Sequence, residues 1–105
     1  MTKAFICGVA GLALNEDERA FLSAHQPWGL ILFKRNVQSP DQITALTTEF
    51  REIVGRGDAP VLIDQEGGRV QRLKPPYWRH APPMADFGAL YGRYPVKALK
   101  ALRLN

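Results

Sequence analysis

With one cysteine, two histidines and no long apolar run, the sequence offers little to disulfide, metal or membrane chemistry. A single Cys7 forms no internal disulfide, and its place in an apolar stretch reads as a buried, reduced thiol in a cytoplasmic protein. His25 and His80 have no ligand-like partner at helical or finger spacing, so a metal site has no support and no cofactor is expected. No window approaches the roughly 18 apolar residues that a spanning helix needs. The opening MTKAFICGVAGLALNEDER imitates an export signal, with Lys3 before an apolar stretch. Gly8 and Gly11 interrupt it, however, and acidic residues stand where a cleavage site belongs. Ser23 and Ser39 have no nearby base for nucleophilic work.

What the 105 residues do contain is an ordinary globular balance, 46% hydrophobic and 23% charged. The formal charge of +4 is unevenly spread. Residues 1–66 carry six Lys or Arg against nine Asp or Glu, and residues 67–105 carry eight against one. A basic half raises the question of nucleic acid. Its cations, though, are scattered among Pro and Gly without aromatic platforms or a recognisable motif, so a solvated face, or a surface that meets acidic partners elsewhere in a longer protein, is expected instead.

Three short apolar runs, Ala4 to Ala10, Gly29 to Phe33 and Pro60 to Ile63, have the non-alternating, branched-chain character of strands buried on both faces of a parallel sheet. Between the first two, Asn15 is a helix cap and Glu18, three residues on, completes a capping box. Between the second and third, Ser39 caps, Pro40 takes the first helical position and Gln42 closes the box. Ile43, Leu46, Phe50 and Ile53 follow at spacings of three and four, and Gly55 terminates. The order is strand, helix, strand, helix, strand, with right-handed crossovers. Beyond Ile63 a Pro- and Gly-rich loop is expected, with Pro75, Pro76, Pro82 and Pro83 excluding regular helix. An amphipathic segment from about Pro95 to Leu104 then begins a helix with no Gly cap or returning strand, which reads as an α/β unit left incomplete.

In parallel α/β architectures ligands bind beyond the carboxyl ends of the strands. Two such ends are polar here: Lys34, Arg35 and Asn36 after the second strand, and Asp64, Gln65 and Glu66 after the third. Asp64 directly follows PVLI, where an ionised carboxylate offers two acceptor oxygens to neighbouring sugar hydroxyls. Gly67 and Gly68 allow close approach of a ligand. Arg72 adds a planar fork of donors, able to grip hydroxyl oxygens or to hold Asp64 itself. The structural alternative is a turn-forming Asp64 salt-bridged to Arg69 or Arg72. Asp64 and Glu66 also suggest an acid–base pair, but the two carboxylates are expected to face opposite ways. GGRV fits neither phosphate-binding fingerprint. Tyr77 and Trp78 either stack on a sugar or cover the core beneath their loop, and His80 is expected to pack in that loop.

The string GLILFKRN, then about thirty residues on VLIDQEGGRVQRL, then a Pro-rich loop, resembles the amino-terminal part of the bacterial β-N-acetylhexosaminidases of glycoside hydrolase family 3. That resemblance covers nearly the whole chain. It implies a (β/α)8 TIM-type barrel to which residues 1–105 contribute the first three βα units of a single domain. It further implies a cytoplasmic, metal-independent exo-enzyme that removes terminal β-linked N-acetylglucosamine from muropeptides during cell-wall recycling, with no nucleic acid or membrane partner. Asp64 and Arg72 match positions that bind the non-reducing sugar, whereas Glu66 and Arg69 are expected in turn and packing roles. The family's nucleophilic Asp and its general acid/base His, on a His- and Gly-rich loop, have no match here. No catalytic residue is therefore expected among Asp17, Asp41, Asp58, Asp64, Asp86, His25 and His80. The alternative is a non-catalytic sugar-binding or assembly module using the same two residues.

Overall fold

Both helix starts written into four-residue signals are realised in the computed structural model, which describes Met1–Asn105. Helix α1 (Glu16–His25) opens with the Asn15 side chain accepting from the Glu18 amide at 2.8 Å, and the Glu18 carboxylate accepts in return from the Asn15 amide at 3.0 Å. The second oxygen of Glu18 takes the Ala10 amide at 2.6 Å, fastening the loop that precedes the helix. Helix α2 (Pro40–Val54) begins in the same way, the Ser39 hydroxyl accepting from the Gln42 amide at 3.2 Å. It ends at Gly55 in the left-handed region, φ 68°, as a terminator should.

The chain falls into two compact units, Met1–Ile63 and Asp64–Asn105. The first is α/β. Strands β1 (Lys3–Cys7), β2 (Pro27–Leu32) and β3 (Val61–Ile63) form a parallel sheet in the order β1-β2-β3. Each begins or ends within a few residues of its apolar run, β1 stopping at Cys7 rather than Ala10. The register pairs Cys7 with Leu30 and Leu30 with Val61, then Leu32 with Ile63. Paired positions in a sheet share a face. That face meets Leu22 of α1 and Leu46, Phe50 and Val54 of α2 in one core.

The expectation of strands buried on both faces is met on one side only. Ile6 and Leu62, which register places on the opposite face with Ile31, are 43% and 36% exposed. The reason is topological: consecutive crossovers of one hand put α1 and α2 on the same side of the sheet.

The second unit holds two features the sequence pattern did not suggest. Strands β4 (Gln65–Gly67) and β5 (Val70–Gln71) form a short antiparallel hairpin inside the expected loop. Helix α3 (Met84–Arg93) begins immediately after the prolines. Proline forbids helix on its amino-terminal side, yet Pro83 occupies the cap position itself, where no amide is required of it. Helix α4 (Pro95–Leu104) lies where its amphipathic pattern indicated, with Pro95 in its first turn.

Because one hydroxyl satisfies an otherwise orphaned amide of α2, replacing Ser39 by Ala is expected to cost about 1 kcal/mol. Urea unfolding followed by far-UV circular dichroism reads this directly, and an unchanged midpoint would remove the cap from the account.

Candidate functional site

Asp64 stands between two strands, after Ile63 of β3 and before Gln65 of β4, and its side chain is exposed. Arg72 follows Gln71, the last residue of β5. The hairpin pairs Gln65 with Gln71. Continuing that antiparallel register by one rung sets Asp64 opposite Arg72, so the turn between them brings residues eight positions apart to neighbouring places.

The salt-bridged alternative is not what forms. The one ion pair in the structure joins Arg19 and Glu49, on α1 and α2. Asp64 has no ion-pair partner, and neither has Arg69 or Arg72. Arg72 is half-buried, and its Nε is enclosed with no hydrogen-bond acceptor. A buried donor left open costs free energy that a ligand oxygen recovers.

The divergence expected of Asp64 and Glu66 does not follow from regular strand geometry. Positions two apart on a regular strand share a face. Here, however, the register runs from Gln65–Gln71 to Gly67–Val70, two steps on one strand against one on the other. Glu66 is the extra residue of a β-bulge, so simple alternation does not relate it to Asp64.

Two glycines shape the same turn. A Cβ on Gly67 would lie 2.2 Å from the Pro82 carbonyl oxygen, and Gly67 also has φ 87°. At Gly68, φ 59°, a Cβ would meet Pro83 at 2.9 Å. The Gly68 amide donates to the Ala81 carbonyl at 2.8 Å. These glycines thus let the hairpin lie against the Pro-rich loop, a closer constraint than ligand access alone.

Two glutamines hold the loop, and reading the sequence missed both. Gln65 Oε1 accepts from the Arg72 amide at 3.1 Å and the Leu73 amide at 3.0 Å, while its Nε2 donates to the Leu73 carbonyl at 2.8 Å. Gln71 is fully buried, donating to the Leu73 and Arg79 carbonyls and accepting from the Ala81 amide. Neither has a local signal, because the groups they bind are known only once the loop's return path is known.

The remaining polar positions are committed elsewhere or exposed. Asn36 is buried, its side-chain amide donating to the Val9 carbonyl at 3.0 Å and the Gly11 carbonyl at 2.8 Å. Arg35 Nε reaches the Val9 carbonyl at 3.0 Å, with the guanidinium over the Phe33 ring, while Lys34 is exposed. His25 lies against Phe21 with ring centroids 4.6 Å apart, and its Nδ1 is 3.5 Å from Lys3 Nζ. His80 and Tyr77 are exposed, and Trp78, half-buried, meets Tyr77 edge to face. No group of three His, Cys, Asp or Glu is arranged to hold a metal ion.

Cys7 is half-buried rather than buried. Burial, and then the charge of Glu18, push its thiol above the ordinary 9.0. A raised value disfavours the nucleophilic thiolate.

No protein-family model matches the chain. It is 43% identical over 94 residues to a β-hexosaminidase of Stenotrophomonas maltophilia, covering 90% of this chain and 28% of that protein. Among solved structures, NagZ from Neisseria gonorrhoeae in complex with N-trifluoroacetyl-D-glucosamine superimposes with a TM-score of 0.74 at 31% identity, covering 84% of this chain and 25% of that one. A glycoside hydrolase family 3 β-N-acetylglucosaminidase from Paenibacillus gives 0.69 at 32% identity, covering 80% and 16%. Sequence and fold therefore agree in what the chain is similar to: bacterial β-hexosaminidases among curated proteins, and NagZ and a family 3 β-N-acetylglucosaminidase among solved structures. The chain spans 28–30% of the length of the curated relatives it matches.

Two outcomes follow from this geometry. Gly67→Ala is expected to destabilise the second unit by about 3 kcal/mol, combining a steric clash with backbone strain; hydrogen exchange at the Gly68 amide reads it, and undiminished protection would refute the close packing. The folded state keeps Cys7 protonated, a stabilising contribution that is complete below pH 9.0 and lost as pH rises through the raised value. Iodoacetamide at pH 8.5 is accordingly expected to label folded protein more slowly than urea-unfolded protein, and equal rates would count against it.

Proposed function

We propose that the chain contributes the first three βα units of a (β/α)8-type barrel that hydrolyses terminal β-linked N-acetylglucosamine, and that Asp64 and Arg72 hold the glycone. The observation carrying this reading is the pair itself: a carboxylate and a guanidinium set opposite each other where the register of one hairpin is continued by one rung, neither consumed by an ion pair. The likeness to a NagZ solved with an N-acylated glucosamine agrees with a sugar of that type.

The chemistry is complementary. An ionised carboxylate accepts from two adjacent sugar hydroxyls, and a guanidinium donates to hydroxyl oxygens in a fixed plane. Charge-assisted hydrogen bonds of this kind are stronger than neutral ones. By family resemblance, the reaction is a retaining displacement whose nucleophilic Asp and acid/base His belong to a later stretch of the barrel. The natural substrate is then a muropeptide fragment in cytoplasmic cell-wall recycling, with no metal or cofactor involved. Residues 1–105 hold part of the sugar site and none of the groups that break the bond.

The purified 105-residue chain is expected to show chemical-shift changes on titration with N-acetylglucosamine, lost in Asp64→Ala, and no hydrolysis of an aryl β-N-acetylglucosaminide. A folded chain that ignores the sugar would sink the glycone assignment. Turnover persisting in Asp64→Ala would show that bond cleavage has another source within these residues.

A further inference from the structure

We infer that Gln65 is a positioning residue for Arg72, setting the guanidinium by fixing the backbone from which it springs; the sugar-binding consequence rests on the glycone reading above. All three recorded hydrogen bonds of the Gln65 side chain land on residues 72 and 73. Its Oε1 takes two successive amides, at 3.1 and 3.0 Å, and its Nε2 gives to the Leu73 carbonyl at 2.8 Å. The β5 strand ends at Gln71, so ladder bonds no longer define the chain where Arg72 begins. A side chain from the partner strand does so instead.

Only a carboxamide meets this demand, since the clasp needs an acceptor for two N–H groups and a donor for one carbonyl. A carboxylate at the same place keeps the acceptor but turns an oxygen toward the Leu73 carbonyl. A leucine supplies neither function. Gln65 is itself exposed, so it adds little to the core, and its bonds serve chiefly to fix this backbone. Gln71 secures the same segment from beneath, meeting the same Leu73 carbonyl and, at the far side of the loop, Arg79 and Ala81. Arg72 Nε is enclosed without an acceptor. A donor held in that state is useful only if its origin does not wander, because a directed hydrogen bond weakens steeply with misalignment.

The test uses the whole chain and two kinds of readout. In the absence of sugar, the Arg72 amide exchange rate and the Arg72 Nε–H resonance are followed by NMR in wild type, Gln65→Leu and Gln65→Glu. Affinity for N-acetylglucosamine is then measured for each. Gln65→Leu is expected to speed exchange at Arg72 and Leu73, move the Nε–H resonance and weaken binding about tenfold. Gln65→Glu, keeping the acceptor, is expected to fall between. Gln42→Leu, which removes the side-chain half of the α2 capping box while leaving the Ser39 cap, serves as a control for general destabilisation and should leave Arg72 and sugar affinity unchanged. If the leucine variant does not fold, the glutamate variant decides on the same readouts.

Unaltered Arg72 signals in both Gln65 variants would overturn the inference whatever the sugar does. Wild type that binds sugar and loses it in Asp64→Ala, while both Gln65 variants bind normally, would overturn the inference and leave the glycone site standing. Wild type that never binds would overturn the glycone site and, with it, the affinity part; the exchange and resonance data alone would then decide whether Gln65 sets Arg72.

Discussion

The loops of this chain depend on a single requirement, that backbone amides and carbonyls taken out of water find partners. Neutral side-chain amides meet it repeatedly. Asn36 holds the carbonyls of Val9 and Gly11 and accepts from the Phe33 amide. Gln42 caps α2 and also reaches the carbonyls of Leu12 and Asn36, so the loops after β1 and β2 are tied to one helix start. Gln65 and Gln71 do the equivalent work in the second unit. A carboxamide suits this because it both donates and accepts without bringing a charge that must be desolvated.

That division of labour explains the state of the charged residues. A scaffold stitched by ions would have consumed Asp64 or Arg72 in holding its own turn. Here the turn is complete without them, through two glycines packed on the Pro-rich loop and two glutamines bound to its backbone. The charges are surplus to folding, the condition in which a carboxylate and a guanidinium are available to a ligand.

How much could be read in advance follows from how local each signal was. Asn15 with Glu18, and Ser39 with Gln42, describe helix starts within four residues, and both are present. The apolar runs gave the strands, and an acidic residue directly after PVLI marked Asp64. The hairpin escaped because its strands are two and three residues long and one contains a bulge, too short for periodicity to register. Helix α3 escapes the pattern because a proline that breaks a helix in its interior acts at Pro83 as its boundary. The glutamines escaped for another reason: their partners are backbone atoms up to ten positions away, chosen by the path of a loop that no spacing rule describes.

The side of the sheet carrying Ile6, Ile31 and Leu62 has a thermal consequence. Apolar surface in water gains free energy from association mainly through entropy near room temperature, so the attraction between such surfaces strengthens on warming from the cold. β1 and β3 are also edge strands, with backbone groups free to pair. A preparation of these residues should therefore be most monodisperse in the cold and at low concentration, and its colloidal behaviour should respond to temperature before its secondary structure does.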